Sequence, residues 1–285
     1  MSLTNPTHTV GLLHPGAMGV TVGATLRAGG ADVVWASAGR SALTRARAEA
    51  AGLRDVADLA ALVAQSDWIV SVCPPHAVED VAHDVVRRGF TGTYLDANAI
   101  APARAHVLRE RIEAAGGRFV DGGIVGPPAT RSGTTWLHLS GPGAESLALA
   151  CAAGPLAASV VSDRVGDASA LKMCYAAFTK GSTALLAAQL ATARALGVRE
   201  ALEEQWERDD PGTAARAAAR LRRVTAKAWR FEGEMHEISA TFAAAGLPSG
   251  FHEAAAEVYG RLAGFRQQPD EPSLAEVLEA LTASH

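Results

Sequence analysis

Short β-like runs alternate with amphipathic stretches of helical length over the first 162 residues of the chain. Strands that alternate with helices of about ten residues are typical of right-handed βαβ units, in which a mostly parallel sheet is covered on both faces. After Ser162 the sequence reads as one helix after another. The strand candidates are residues 7–13, 31–37, 68–73, 93–98, 118–125 and 135–141, and the helix candidates are residues 17–29, 40–51, 55–65, 77–88, 102–116 and 143–153.

The composition changes near residues 163–166, and the chain of 285 residues exceeds the roughly 250 at which a single core usually stops growing. We therefore predict two domains, residues 1–164 and residues 165–285. The second domain is Ala-rich, and this favours close packing against another copy, so we expect a homodimer formed through the helical domain. Its helices are predicted to break at residues 209–212, 245–250 and 267–272.

Charge, cysteine content and hydropathy exclude several classes of protein. The net charge of −4 argues against nucleic acid or an anionic membrane as a partner. No run reaches the roughly 18 apolar residues of a membrane span, and residues 1–13 lack the features of a secretory signal. Three scattered cysteines fit neither a disulfide framework nor a zinc site, and the histidines lack metal-binding spacing. We expect a cytoplasmic protein without a metal, acting on a small molecule.

The first strand leads directly into the turn His14–Gly19, which an apolar helix follows. Of the three glycines in G-x-G-x-x-G, this turn keeps the second and third, Gly16 and Gly19. The second lets the backbone approach a pyrophosphate, and the third lets helix and strand pack closely. The alternative is a purely structural turn. The position favours a dinucleotide site in an α/β Rossmann domain, followed by an all-α C-terminal domain. The cofactor-binding candidates here are His14, Pro15, Gly16, Ala17 and Met18.

The residues after the second strand indicate which dinucleotide is bound. An NAD enzyme places a carboxylate there, about 20 residues after the turn, to bind the ribose hydroxyls. Residues 36–41 contain no carboxylate, whereas Ser37, Arg40 and Ser41 are suited to a 2′-phosphate. The alternative is that Arg40 is a solvated residue at a helix start. We predict NADP(H) rather than NAD(H).

Five segments in the same order resemble the β-hydroxyacid dehydrogenase superfamily, which includes 3-hydroxyisobutyrate and 6-phosphogluconate dehydrogenases and the related imine reductases. The likeness is closest to a divergent branch with an atypical C-terminal domain. It implies that Val72, Cys73 and Pro74 contact the cofactor, that Ile124, Val125 and Gly126 contact the substrate, and that Lys172 is the catalytic acid/base. Asn98 replaces the family's serine at a strand end, where we expect it to contact cofactor or substrate; the alternative is a turn-forming Asn. The segments are GLLHPGAMG (11–19), VCPP (72–75), DANAIAP (96–102), DGGIVG (121–126) with GT (133–134), and GDASALK (166–172).

The sequence departs from the family pattern in the region that recognises the substrate acid. The serine that contacts the carboxylate is replaced by Val125, followed by two prolines, and the asparagine pair after the catalytic lysine is replaced by Tyr175 and Ala176. The later Lys-Asp pair aligns with Glu234-Met235, beside His236 and Glu237. These differences keep the cofactor site and the lysine but argue against a standard acid substrate.

Lys172 is one of only three lysines among 26 basic residues, with Lys180 and Lys227. A lysine in a cleft loses its charge more readily than arginine, and can therefore protonate an alkoxide or deprotonate an alcohol. Tyr175 lies one helical turn further on, near the same face, where it is placed to hydrogen-bond the reacting oxygen or Lys172. The alternative reading is a surface lysine beside a core tyrosine. We interpret Lys180 as structural and Lys227 as a surface or interface residue.

The leading hypothesis is an NADP(H)-dependent dehydrogenase or reductase acting on a small carbonyl or alcohol. The alternatives are an NADPH-dependent imine reductase and a catalytically idle NADPH-binding sensor. Imine reductases of this group generally lack the catalytic lysine, which argues against the first alternative. The substrate and the direction of the reaction stay open.

Overall fold

The computed structural model describes residues 8–268 and 270–283. Three parts of the sequence predictions lie outside this range. They are Thr7 in the first strand candidate, most of residues 1–13, which were tested for a secretory signal, and Pro269 in the last predicted helix break. The described residues form two compact units, the first ending at Met173 and the second beginning at Cys174. The division lies inside a long helix, about nine residues after the boundary that the sequence suggests at 164/165.

The first unit is built around an eight-stranded sheet in the order β3-β2-β1-β4-β5-β6-β7-β8. All neighbouring strands are parallel except β6 and β7, which are antiparallel. The strands are β1 (Thr9–Leu12), β2 (Asp32–Trp35), β3 (Arg54–Asp55), β4 (Trp68–Ser71), β5 (Thr93–Asp96), β6 (Arg118–Val125), β7 (Trp136–Ser140) and β8 (Ala157–Ser162).

Helices between the strands cover the sheet on both faces. The central strands β4 and β5 are buried along their whole length, and β4 accordingly reads as an almost continuous apolar run. One apolar cluster contains Val10, Leu12 and Val22, and a second contains Val34, Ile69 and Leu108. The helices are α1 (Gly19–Ala28), α2 (Ala42–Ala50), α3 (Leu59–Gln65), α4 (Val78–Val86), α5 (Pro102–Ala114) and α6 (Ala144–Ala150).

The sequence missed two strands. Strand β3 has only two residues, both exposed and charged, so it carries no apolar signal. It pairs with the end of β2, and α3 therefore begins at Leu59 rather than at residue 55. Asp58 caps α3 by accepting a hydrogen bond from the Ala61 N–H at 2.8 Å. Strand β8 is mostly exposed and lacks a clear alternation of apolar residues.

The second unit is helical, as predicted. It contains the part of α7 (Asp167–Ala195) after Met173, together with α8 (Arg199–Asp209), α9 (Thr213–Val224), α10 (Ala228–Ala244), α11 (Gly250–Arg261) and α12 (Leu274–Thr282). The breaks predicted at 209–212 and 245–250 are confirmed by the ends of α8 and α10. The prediction of an α/β domain followed by a helical one is therefore confirmed.

Candidate functional site

The turn after β1 is shaped by two glycines with different surroundings. A Cβ on Gly19 would lie 2.1 Å from the His14 carbonyl oxygen, so no larger residue fits where α1 begins. A Cβ on Gly16 would meet nothing within 4 Å, so the backbone there faces open space. Pro15 is buried, Met18 is half-buried and Ala17 is exposed. The turn therefore combines a tight packing position with an accessible backbone, as a bound pyrophosphate requires.

His14 and Arg40 meet beside this turn. The Arg40 Nη2 donates a hydrogen bond to the Leu13 carbonyl at 3.2 Å. Burial, and then the positive charge of Arg40, lower the pKa of His14 to about 4, so the imidazole is neutral at pH 7. The Nδ1 of His14 and the Nε of Arg40 are buried without a hydrogen-bond partner among the described residues. Buried polar atoms are normally hydrogen-bonded, to protein groups, to water or to a ligand.

A cavity of about 330 Å³ opens next to these two side chains, at the carboxyl ends of β1 and β2. Ligands in open α/β sheets bind at this edge. The cavity has apolar walls from two helices, α3 and α4, and from the ends of the two strands, and polar side chains that include Arg40, Asp58 and Arg88 also line it. The turn, the two unpartnered nitrogens and the cavity together fit the adenosine half of a dinucleotide. The apolar walls include Leu13, Ala36, Leu59, Leu62, Val81 and Val85.

The other two residues predicted to bind a 2′-phosphate are already engaged in local contacts. Ser41 is the N-cap of α2, its Oγ accepting a hydrogen bond from the Thr44 N–H at 3.3 Å. Ser37 is buried at the end of β2. Although desolvation opposes it, hydrogen bonds from Ser37 and from the Ala57 N–H lower the pKa of Asp55. The sequence interpretation found no carboxylate in residues 36–41, and the sheet supplies Asp55 from β3 instead.

Asn98 holds the ends of β4 and β5 together. Its Oδ1 accepts a hydrogen bond from the Cys73 N–H at 2.5 Å, and its Nδ2 donates to Ser71 Oγ at 3.1 Å and to Asp96 Oδ1 at 2.5 Å. Val72, Cys73 and Pro74 are half-buried beside it. Burial raises the pKa of the Cys73 thiol to about 12, so the thiol is protonated at physiological pH. In the structure the Asn98 amide therefore serves the strand ends, and its contact with cofactor or substrate stays a prediction.

The buried carboxylate of Asp121, on β6, anchors the first turn of α7. It accepts hydrogen bonds from the backbone N–H groups of Gly166 and Ser169, at 3.0 and 2.9 Å, and from Ser169 Oγ and Ser140 Oγ, at 2.5 and 3.0 Å. A negative charge at a helix N-terminus is favourable, and a carboxylate with four donors is well compensated for burial. This contact holds the segment that carries Lys172. Sequence reasoning used Asp121 only as part of a motif and missed this role.

Lys172 lies over β6, one turn after the anchored residues. A Cβ on Gly123 would lie 2.8 Å from the Lys172 Cβ, so the helix rests directly on this glycine. Ile124 and Val125 are buried on the same strand, and Gly126 ends it with φ 121°. Tyr175 follows on α7, belongs to the second unit and is 51% exposed. The structure thus brings Lys172 to the strand that carries the predicted substrate residues.

Lys180 and the residues around Glu234 are engaged inside the second unit. Lys180 forms an ion pair with Glu234, and its ammonium lies 4.9 Å from the centre of the Phe231 ring. His236 Nδ1 lies 2.9 Å from a Glu253 carboxylate oxygen, and Glu237 is buried. Lys227 is exposed. Over residues 8–268 and 270–283 no cluster of three metal-ligating side chains occurs, and no helix is long and apolar enough to cross a membrane.

Two family models match the chain. The NAD binding domain of 6-phosphogluconate dehydrogenase matches residues 9–153, and a domain of unknown function, DUF1932, matches residues 193–262. A curated relative from Methanothermus fervidus, an uncharacterized 28.5 kDa protein in the 7S RNA 5′ region, is 30% identical over 169 residues. That alignment covers 59% of this chain and 64% of the relative, so the chain spans less than two thirds of its length.

Solved structures share the fold. The conserved protein MTH1747 of unknown function, described as similar to 3-hydroxyacid dehydrogenases, is 28% identical with a TM-score of 0.66, covering 91% of this chain and 98% of its own. A 3-hydroxyisobutyrate dehydrogenase from Salmonella typhimurium is 17% identical with a TM-score of 0.70, covering 95% and 99%. Imine reductases also have this fold.

Proposed function

The chain belongs to the family that carries the NAD binding domain of 6-phosphogluconate dehydrogenase, and on this premise we propose that it is an NADP(H)-dependent oxidoreductase acting on a small carbonyl or alcohol, with Lys172 as general acid/base. The observation that carries the proposal is the placement of Lys172 on a helix that Asp121 anchors and that rests on Gly123. The nicotinamide group supplies or accepts the hydride when it is bound.

Lys172 supplies the proton that hydride transfer requires. When a carbonyl is reduced, its oxygen becomes an alkoxide, and the lysine ammonium gives that oxygen a proton. In the reverse reaction the neutral amine removes the hydroxyl proton of the alcohol. The anchored helix fixes the backbone from which the Lys172 side chain extends, and positioning of a catalytic group lowers the entropic cost of the reaction.

We expect Lys172→Met to lower kcat at least a thousandfold while NADPH binding stays within threefold of the wild type. The thioether side chain cannot transfer a proton, whereas the cofactor turn lies at the end of β1. Turnover is measured on a panel of aldehydes, ketones and hydroxy acids, and NADPH binding by fluorescence titration. The control is Lys227→Met, which removes an exposed lysine. A Lys172→Met enzyme with unchanged turnover contradicts the acid/base role.

The preference for NADP(H) rests on Arg40, whose half-buried guanidinium lies beside the cofactor turn. A 2′-phosphate is bound well by a planar guanidinium. We expect the wild type to bind NADPH at least tenfold more tightly than NADH, and Arg40→Ala to remove most of this difference. Arg47→Ala, on the same helix α2, is the matched control. Equal affinities for the two cofactors in the wild type overturn the preference, and Asp55 beside Ser37 then becomes the residue that binds the ribose.

Imine reduction is the second candidate, because Val125 replaces the serine that contacts a substrate acid in the family pattern and Tyr175 stands after the lysine. A comparison of ketones with cyclic imines in the same assay decides between the two. Tight binding of NADPH without turnover of any compound favours the idle sensor instead. A homodimer through the helical unit and a cytoplasmic location belong to this proposal as well.

A further inference from the structure

The face of the sheet that lies under the start of α7 contains a titratable side chain that the catalytic proposal does not use. Residues directly opposite each other on antiparallel strands point to the same face. Strands β6 and β7 pair Asp121 with Ser140, Gly123 with His138, and Val125 with Trp136. Asp121 and Ser140 contact the first turn of α7, so His138 points to the helix side of the sheet as well.

His138 lies beside Lys172 because its pairing partner is Gly123. The missing side chain of Gly123 leaves the space in which α7 rests, with the Lys172 Cβ and the Ala168 carbonyl each 2.8 Å from where a Cβ would be. Cβ atoms of directly opposite residues are about 5 Å apart, so the imidazole flanks the base of the lysine side chain. Partial burial, and then the positive charge of Lys172, lower the pKa of His138 below its usual value.

The other side of the imidazole leads to the surface. His138 Nδ1 lies 2.9 Å from Ser159 Oγ on β8, the strand that pairs with β7 in parallel register. Ser159 is exposed at the edge of the sheet, so its hydroxyl can exchange protons with water. Lys172, His138 and Ser159 therefore form a row from the helix to solvent.

Several other charged or titratable groups lie near this row. Asp121 accepts four hydrogen bonds, and Asp167, at the start of α7, accepts them from Ser162 and Arg164. Asp163 is exposed in the loop before α7. Two further groups lie near the start of α7: Asp96 pairs with Asp121 across β5 and β6 and has a pKa that burial raises to about 7, and the His106 ring lies beside Gly166.

We propose that His138 acts through Lys172, returning to its amine the proton that the amine gives to the substrate. This inference rests on the proposed function. In reduction, the carbonyl carbon receives a hydride with its two electrons, and the ammonium N–H bond breaks as the O–H bond of the alcohol forms. The neutral His138 imidazole then takes a proton from water through Ser159, and the resulting imidazolium passes this proton to the neutral amine. One solvent proton is consumed for each hydride transferred.

Electrostatic repulsion between Lys172 and His138 sets the order in which the two side chains are protonated. While Lys172 is an ammonium, its charge disfavours a second positive charge on His138, so the imidazole stays neutral. When Lys172 has lost its proton, this repulsion disappears and the imidazole binds a proton more readily. His138 therefore takes up a proton after Lys172 has given its own proton to the substrate.

The first test needs no substrate and no cofactor. The full-length protein is labelled with ¹⁵N-histidine, and His138 is titrated by NMR, its signal identified by its absence in His138→Gln. We expect its midpoint to rise by at least 0.5 pH unit in Lys172→Met and to stay within 0.2 unit in the control Lys227→Met. A midpoint that is the same in all three proteins overturns the inference, whatever the fate of the catalytic proposal.

The second test uses NADPH and a carbonyl compound that the wild type reduces. We expect His138→Ala to lower kcat at least tenfold with KM nearly unchanged, and imidazole added to the buffer to restore at least half of the loss. Ser159→Ala is expected to give a smaller loss that imidazole also reverses. A loss in His138→Ala that imidazole does not restore indicates a structural role and overturns the relay. His138→Asn, with a melting temperature measured in parallel, separates misfolding from lost proton transfer.

If Lys172→Met stays active, the proposed function fails. An inactive Lys172→Met with a fully active His138→Ala rejects the relay alone.

Discussion

The polar residues at the ends of β4 and β5 satisfy one another inside the sheet. Asn98 donates to the carboxylate of Asp96 and accepts from the Cys73 N–H. Burial raises the pKa of Asp96 to about 7 from its ordinary 3.8, although the hydrogen bond from Asn98 favours the ionised form. A fully buried carboxyl next to the expected position of the nicotinamide is therefore half-protonated near neutral pH.

The shift of Asp96 predicts how stability depends on pH. Between about pH 4 and pH 7 the folded protein holds a proton that the unfolded chain has released, so this group makes the free energy of unfolding fall as pH rises. Asp96→Asn cannot titrate and is expected to lose this dependence. The free energy of unfolding of Asp96→Asn, minus that of the wild type, should increase by on the order of 1–3 kcal/mol from pH 5 to pH 8.

Urea unfolding at both pH values measures this difference. Asp80→Asn removes an exposed carboxylate on α4 and controls for the loss of one negative charge. A wild type and an Asp96→Asn variant with parallel pH profiles would show that Asp96 is ionised throughout this range.

The position of α7 on β6 depends on one residue without a side chain. The helix is anchored at Asp121 and rests on Gly123, two positions further along the same strand. A glycine inside a strand often marks a close approach of another backbone, and here the approaching backbone is the turn that carries Lys172. The site is therefore built from one strand and one helix, with β7 adding His138.

Gly123→Ala tests this packing. The new methyl group would lie 2.8 Å from both the Lys172 Cβ and the Ala168 carbonyl oxygen, so α7 has to move. We expect a loss of about 1–3 kcal/mol in the free energy of unfolding. The matched control is Gly233→Ala in α10, where a Cβ meets nothing within 4 Å, and we expect a gain of about 0.5–1 kcal/mol there. Equal stability of Gly123→Ala and the wild type would contradict the close contact.

At the scale of the whole molecule, the second unit exposes large apolar side chains along α7. Phe178 is 77% exposed and Leu185 is 56% exposed. Phe251 on α11, which lies next to Gly181 of α7, is 48% exposed. Phe178 and Leu185 are seven residues apart and therefore lie on the same side of the helix. An apolar stripe of this kind is typical of a surface that packs against another chain.

This stripe predicts self-association. We expect the wild type to have twice the mass of one 29.4 kDa chain in light scattering, and the double variant Phe178→Glu, Leu185→Glu to be a monomer. Val107→Glu, at an exposed position of α5 in the first unit, is the control and should leave the mass unchanged. A monomeric wild type at micromolar concentration would reject the homodimer.

The alternation of strands and helices in the first unit, apart from β3 and β8, the turn at His14–Gly19 and the change to a helical second half were determined by the sequence itself. These features depend on local periodicity and on glycines whose positions can be read along the chain. Lys172 was singled out in the same way, since a lysine is rare in this sequence and stands in a motif.

Only the tertiary structure decided which distant residues meet these elements. Asp55 lies beside Ser37 because the short strand β3 pairs with β2, and β3 has no apolar pattern to reveal it. His138 lies beside Lys172 because β6 and β7 pair in a register that sets it opposite Gly123, and the same register sets Ser140 opposite Asp121, where both contact α7. Register is set by turns and by burial of one face of the sheet, so a slip of one residue would turn His138 away from the helix. Chemistry that depends on such a pairing is invisible in the order of the residues.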